Sequence, residues 1–244
     1  MRRHAILLVL AAVAAIAAVP AQAQPRSPAG NSLQFRFGWF VPTGDGSFWD
    51  DTADTFTLDG SDFDDAVFGV TFVTGVSNTL EVGFNIDFYD ATVRSAYRDW
   101  IDESGFPILH DSGLDVTPVT VDIRFLPGGR LAYRGARGQY AVHHPVPYFG
   151  VGAGLLFWEY VEDGDFLDFT YDPPEVFPAH FEDDGVAPEI HALAGIEIPA
   201  GPAWSFLLEG RYSWANADLG QDFEGLGTLE LGGFSGFFGV AFHF

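Results

Sequence analysis

The stretch from residue 79 to 88 constrains this chain more than any other. Leu80, Val82, Phe84, Ile86 and Phe88 alternate there with Thr79, Glu81, Gly83, Asn85 and Asp87. Successive side chains of a strand point to opposite faces, so five apolar residues at period two make one apolar face and one mixed or polar face. The same alternation recurs over 33–41, 68–72, 119–125, 149–157, 190–198, 206–214 and 234–244, which makes eight strands. Each is near the 9 to 11 residues that a tilted strand needs to cross a bilayer. Alternation alone does not separate a membrane barrel from a lipocalin-like one, because the soluble barrel turns the apolar face inward instead of outward.

The connections break that tie. They alternate long and short: 43–64, Ser77-Asn78, 91–113, 127–145, 160–185, 199–203 and 216–229. Short turns at one end and long loops at the other are the habit of outer-membrane barrels. Segment 127–145 is the exception; it is long where a short turn is expected, and it carries Arg130, Arg134 and Arg137 without an acid. The four long loops hold 23 of the chain's 34 acids against two arginines, Arg94 and Arg98. That division reconciles a net charge of −23 with a chain that is 48% hydrophobic and carries 25 Phe. So acidic a chain, with no lysine among its 11 basic residues, excludes a nucleic-acid partner, and so apolar a chain excludes general disorder. With no cysteine, disulfide scaffolds, thiol catalysis and Cys-based metal centres are excluded as well.

Met1-Arg2-Arg3, the apolar run 5–19 and Ala21-Gln22-Ala23 have the three parts of a secretory signal peptide over 1–23. Cleavage there removes two arginines and takes the net charge from −23 to −25. A lead-in segment, 24–31, then precedes a single barrel domain over 32–244. No later run approaches 18 apolar residues, so membrane embedding falls to strands.

The chain ends Gly239-Val240-Ala241-Phe242-His243-Phe244. The terminal aromatic, the apolar residue two before it and the glycine five before it resemble the assembly signal of outer-membrane barrels. That resemblance implies recognition of Gly239, Phe242 and Phe244 by the barrel-assembly machinery. Phe237 departs from the pattern, which has a polar residue there. Pro118 through Phe125, Pro147 through Gly154 and Leu208 through Trp214 also resemble the small outer-membrane barrel superfamily of the OmpA transmembrane domain, opacity proteins and OmpW. The expectation is an all-β, eight-stranded antiparallel transmembrane β-barrel of up-and-down topology, with both termini in the periplasm. Its partners are then outer-membrane lipid and lipopolysaccharide. Trp39, Phe68, Phe88, Phe157 and Trp214 are expected in an outer aromatic belt, and Phe35, Phe125, Phe206, Phe242 and Phe244 in an inner one.

With the apolar face toward lipid, the opposite face fills the lumen with Arg36, Glu81, Asp87, Asp122, Arg124, Glu189, His191, Glu197, Glu209 and Arg211, together with Tyr148 and Trp158. Three arginines among six carboxylates suit forked ion pairs, and side chains alone can fill so narrow a barrel. Gly150, Gly152 and Gly154 share this face and leave room for bulky neighbours such as Trp158. A structural plug is the favoured reading. The resemblance implies two others, an OmpW-like conduit for small apolar molecules and a lipid A-modifying enzyme. The deacylases of that group use a His-x-Ser pair, and this chain reads Arg211-Tyr212-Ser213 at the comparable place, with His191 and Glu209 as the remaining triad candidates. No cofactor is expected. The acidic loops are read as solvated surface, with divalent cations as the alternative, since Asp59-Gly60-Ser61-Asp62 and Asp163-Gly164-Asp165 are only fragments of a calcium loop. Phe48, Trp49, Phe56, Phe166, Phe169 and Tyr171 mark those loops as packed or contact-forming.

Overall fold

The computed structural model describes residues 30–244 except 45, 131, 135–138, 142–143, 202 and 224; the signal peptide and nearly all of the lead-in segment lie outside the described residues. Eight strands dominate: β1 Asn31–Pro42, β2 Asp65–Gly75, β3 Leu80–Ile101, β4 Pro107–Phe125, β5 Val146–Asp168, β6 Glu175–Pro199, β7 Trp204–Asp218 and β8 Gly233–His243. Each pairs antiparallel with its neighbours in sequence, and β8 returns to β1, so the sheet closes on itself. Closure leaves no open edge around the wall. A short strand, Thr228–Glu230, adds a ninth member beside the end of β7. Among the described residues no helix is long and apolar enough to cross a membrane.

The expected outward face does point outward. All ten belt residues are exposed on the wall, from Phe68 and Trp214 at one level to Phe35 and Phe242 at the other. Termini and short turns share one end. There Val76 and Ser77 donate to the Leu80 carbonyl across the Ser77-Asn78 turn, and Phe244 exchanges backbone hydrogen bonds with Asn31.

The long-loop expectations are corrected at the opposite end. Segments 91–113 and 160–185 continue as strand, so β3, β4, β5 and β6 reach 22, 19, 23 and 25 residues, and only 102–106 and 169–174 turn. The physical reason is an inversion of polarity along unbroken strands. On β3 the interior face reads Glu81, Asn85, Asp87 and then Tyr89, Ala91 and Val93, while the exterior reads Phe84, Ile86, Phe88 and then Asp90, Thr92 and Arg94. Lipid selects the first arrangement and water the second. The barrel therefore passes from a membrane band into a crown built like a soluble protein.

Segment 43–64 is a stopper in that crown, not a free loop. It forms α1, Ser47–Thr55, and a 3-10 turn, Gly60–Phe63, whose Asp59 and Asp62 complete a capping box. Phe48 and Trp49 are 1% exposed and Phe63 is fully buried. They pack edge to face or tilted with Tyr160 and each other at centroid distances of 5.1 to 6.4 Å. Segment 127–145 is likewise not a plain turn; it contains paired short strands, Ala132–Arg134 and Gln139–Ala141.

Candidate functional site

The lumen within the membrane band is filled by charge. All ten sequence-selected polar residues are buried, none above 4% exposed. Six of them sit in one layer. Arg36 donates to Asp87 Oδ1 at 2.6 Å and to Glu209 Oε1 at 2.5 Å, and Arg211 to Asp87 Oδ2 at 2.6 Å and Glu209 Oε1 at 3.2 Å. Arg124 donates to Asp122 at 2.8 Å and lies 3.5 Å from Glu209. Three guanidinium groups thus face three carboxylates, and the layer is neutral. A buried charge without a partner costs several kcal/mol, so neutrality is what permits the layer to exist inside a membrane.

Neutral side chains complete it. Tyr148 donates to Glu209 Oε2 at 3.0 Å, Asn85 bridges Thr120 and Asp122, and Gln34 accepts from Arg124 at 3.1 Å. Phe237, the departure from the terminal signal, is an inward residue: Arg36 Cζ lies 4.6 Å and Arg211 Cζ 5.6 Å from its ring centroid. It closes the layer by cation–π contact on the side toward the crown. Glycines admit these side chains. A methyl group at Gly69 would collide with Asp87, and one at Gly195 with the Tyr148 ring. Gly152 admits His191 rather than the expected Trp158, which lies over Gly185.

Nearer the termini a second layer joins Arg130 to Glu81 at 2.5 Å and Glu197 at 2.8 Å, with His243 Nε2 2.8 Å from Glu197. Arg130 comes from segment 127–145, whose basic character had suggested only a charged end. Sequence reasoning missed it because a turn residue has no period to place it. Gln34 and Asn85 were findable, since each holds an inward position on an alternating strand.

The remaining pair, Glu189 and His191, joins at 3.2 Å between Oε1 and Nδ1. The enzyme triad is not assembled. Ser213 faces His191 across β6 and β7, yet its hydroxyl donates to the Gly233 carbonyl at 3.4 Å, and Glu209 belongs to the arginine layer. Between the arginine layer and the crown lies a cavity of about 30 Å³ lined by Phe40, Tyr89, Leu156, Glu189, Arg211 and Phe237, among others. Beyond it Leu156, Trp158, Tyr160, Phe48 and Trp49 form the crown core.

The crown holds its own polar pairs. His110 Nε2 lies 3.0 Å from Ser95 Oγ among the rings of Phe56, Tyr97 and Phe166, and burial pushes its pKa down to about 4. Glu162 is also buried; desolvation raises its carboxyl to about 7, against the hydrogen bond donated by Tyr160 at 2.9 Å. On the outer wall Asp90, Asp115, Glu159 and Asp184 stand opposite one another across four strands. Among the described residues no group of three or more His, Asp or Glu side chains is arranged to hold a metal ion. Gly239, Phe242 and Phe244 lie on or just beyond β8, Gly239 turned inward and the two rings on the exposed wall.

No protein-family model matches this sequence, and no curated protein is detectably similar to it. Solved structures are similar in architecture. The outer membrane protein OprG from Pseudomonas aeruginosa is 12% identical, with 90% of this chain and 98% of that one covered and a TM-score of 0.49. The attachment invasion locus protein Ail of Yersinia pestis, solved with the heparin analogue sucrose octasulfate, is 12% identical over 88% and 99% at 0.42. CarO of Acinetobacter baumannii is 10% identical over 89% and 98% at 0.35.

Proposed function

We propose that this protein is a non-enzymatic outer-membrane barrel with a closed lumen, whose role is to hold a folded acidic crown outside the cell. One observation carries the reading: the interior is filled at successive levels, by two arginine–carboxylate layers and by an apolar core in the crown. A conduit needs a continuous path, and an enzyme needs a nucleophile near its base. Lipid and lipopolysaccharide meet the aromatic wall, β8 presents the assembly signal, and export uses segment 1–23. Planar-bilayer recording of the purified protein tests the closed lumen, with a silent trace expected; reproducible single-channel steps would overturn it. Incubation with lipid A followed by mass spectrometry is expected to show no acyl loss, and loss abolished by Ser213→Ala would restore the enzyme. Sequencing of the mature N-terminus is expected to begin at Gln24.

A further inference from the structure

Two crown hairpins end in apolar tips. The β3–β4 hairpin exposes Trp100, Ile101 and Phe106 at 41, 65 and 67%, and the β5–β6 hairpin exposes Phe169, Tyr171 and Phe177 at 59, 57 and 37%. The rings of Trp100 and Phe169 meet edge to face with centroids 5.6 Å apart, which joins the tips into one patch. The lipid band does not account for it. Phe88 lies twelve residues before Trp100 on the same strand, which is roughly 40 Å of strand length. Nor does the crown core, whose aromatic residues are buried elsewhere. An apolar cluster kept in water and rimmed by carboxylates marks a contact site.

Its surroundings are acidic, and the nearby His180 is engaged by Asp163 at 3.0 Å. Asp99, Asp102 and Glu103 flank the first tip and Asp165, Asp168, Asp172 and Glu175 the second, and neither 99–109 nor 165–179 contains a basic residue. Arg98, next in sequence, turns its guanidinium back to the Ala53 carbonyl at 2.5 Å. Asp102 and Asp168 are held in place by accepting backbone N–H groups of their own turns.

We propose that the joined tips dock a cationic amphipathic segment of another protein, its apolar residues on Trp100, Phe106 and Phe169 and its Lys or Arg side chains on the surrounding carboxylates. The proposal rests on the crown facing outward, as above. Charge selects the occupant. A second copy would set like carboxylates against each other, and a lipid surface would strip water from them without supplying counter-charge. The apolar centre supplies most of the affinity, while the acidic rim steers the approach.

The test uses the full chain in nanodiscs of zwitterionic lipid, with empty nanodiscs as reference. It is titrated with an amphipathic Leu/Lys helical peptide, with a Leu/Glu peptide of equal length, and with zwitterionic vesicles. The Leu/Lys peptide is expected to bind in a salt-dependent way and to lose about tenfold in affinity on the variant Trp100→Ser/Phe106→Ser/Phe169→Ser, with no binding of the Leu/Glu peptide. All three sites are exposed, and heat-modifiable migration checks that the variant still folds. Equal binding by wild type and variant overturns the proposal, as does vesicle binding through the tips or dimerisation through them. If binding fails while bilayer recordings stay silent, the docking site falls and the closed barrel stands.

Discussion

Glu209 is the residue on which the arginine layer turns, since it lies within 3.5 Å of Arg36, Arg124 and Arg211 and accepts from Tyr148. Glu209→Gln leaves three guanidinium groups facing two carboxylates, and its expected cost is about 3–5 kcal/mol, read as a lower urea midpoint for folding in lipid vesicles. An unchanged midpoint would mean that the layer tolerates net charge. Two crown residues make opposite predictions about pH. Between pH 4.5 and about 7 the unfolded chain has released the Glu162 proton while the folded crown keeps it, so stability falls as pH rises. Between about 4 and 6.5 the unfolded chain holds the His110 proton and the folded crown does not, so stability rises with pH. Each slope integrates to roughly 3 kcal/mol, and in the wild type they nearly cancel where they overlap. Hydrogen exchange of crown amides from pH 4 to 7 is expected to rise in protection for Glu162→Gln and to fall for His110→Phe; parallel profiles for all three proteins would refute the assignment. The lumen residues were legible because period two assigns a face to each. Their partners were not, because Arg36 and Glu209 are 173 residues apart.

At the scale of elements, α1 supplies the stopper. Trp49→Ala removes a side chain 1% exposed that donates its indole N–H to the Glu230 carbonyl at 3.3 Å. The expected loss is about 3–5 kcal/mol of crown stability, seen as faster proteolysis within 43–64 while the membrane band stays resistant; uniform resistance would place the stopper's stability elsewhere. The strands beyond the band explain why 91–113 and 160–185 read as loops. Their outward faces carry most of the acids and their inward faces the apolar residues, with Glu162 and Asp183 buried among them, so an alternation sought with the apolar side outward ends where the polarity inverts. The signal is present in Ala91, Val93 and Tyr97 against Thr92, Arg94 and Arg98. The row of Asp90, Asp115, Glu159 and Asp184 stands at that inversion. Like charges directly opposite on neighbouring strands are unfavourable, and water at the crown wall screens them as lipid cannot.

The whole molecule is a wall whose interior is filled at three levels: the Arg130 layer near the termini, the layer of Arg36, Arg124 and Arg211, and the crown core. Replacing Arg36 and Arg211 by serine is expected to leave bilayer traces silent, because the crown core still closes the path. Adding Arg130→Ser and replacement of 44–63 by a short Gly/Ser linker is expected to produce channel steps. Conductance from the serine variant alone would show that the crown does not seal. Period two, terminal pattern and charge division are local or additive properties, so the sequence by itself determined a closed antiparallel barrel, the outward face of each strand and the acidic character of one end. Tertiary structure decided the rest. Where a strand stops depends on whether water or lipid lies outside it and on what the neighbouring strand offers, and alternation is blind to both. Which carboxylate meets which guanidinium depends on the ring closing β8 onto β1, which brings residues from opposite ends of the chain within hydrogen-bonding distance. The stoppered lumen is a product of that closure.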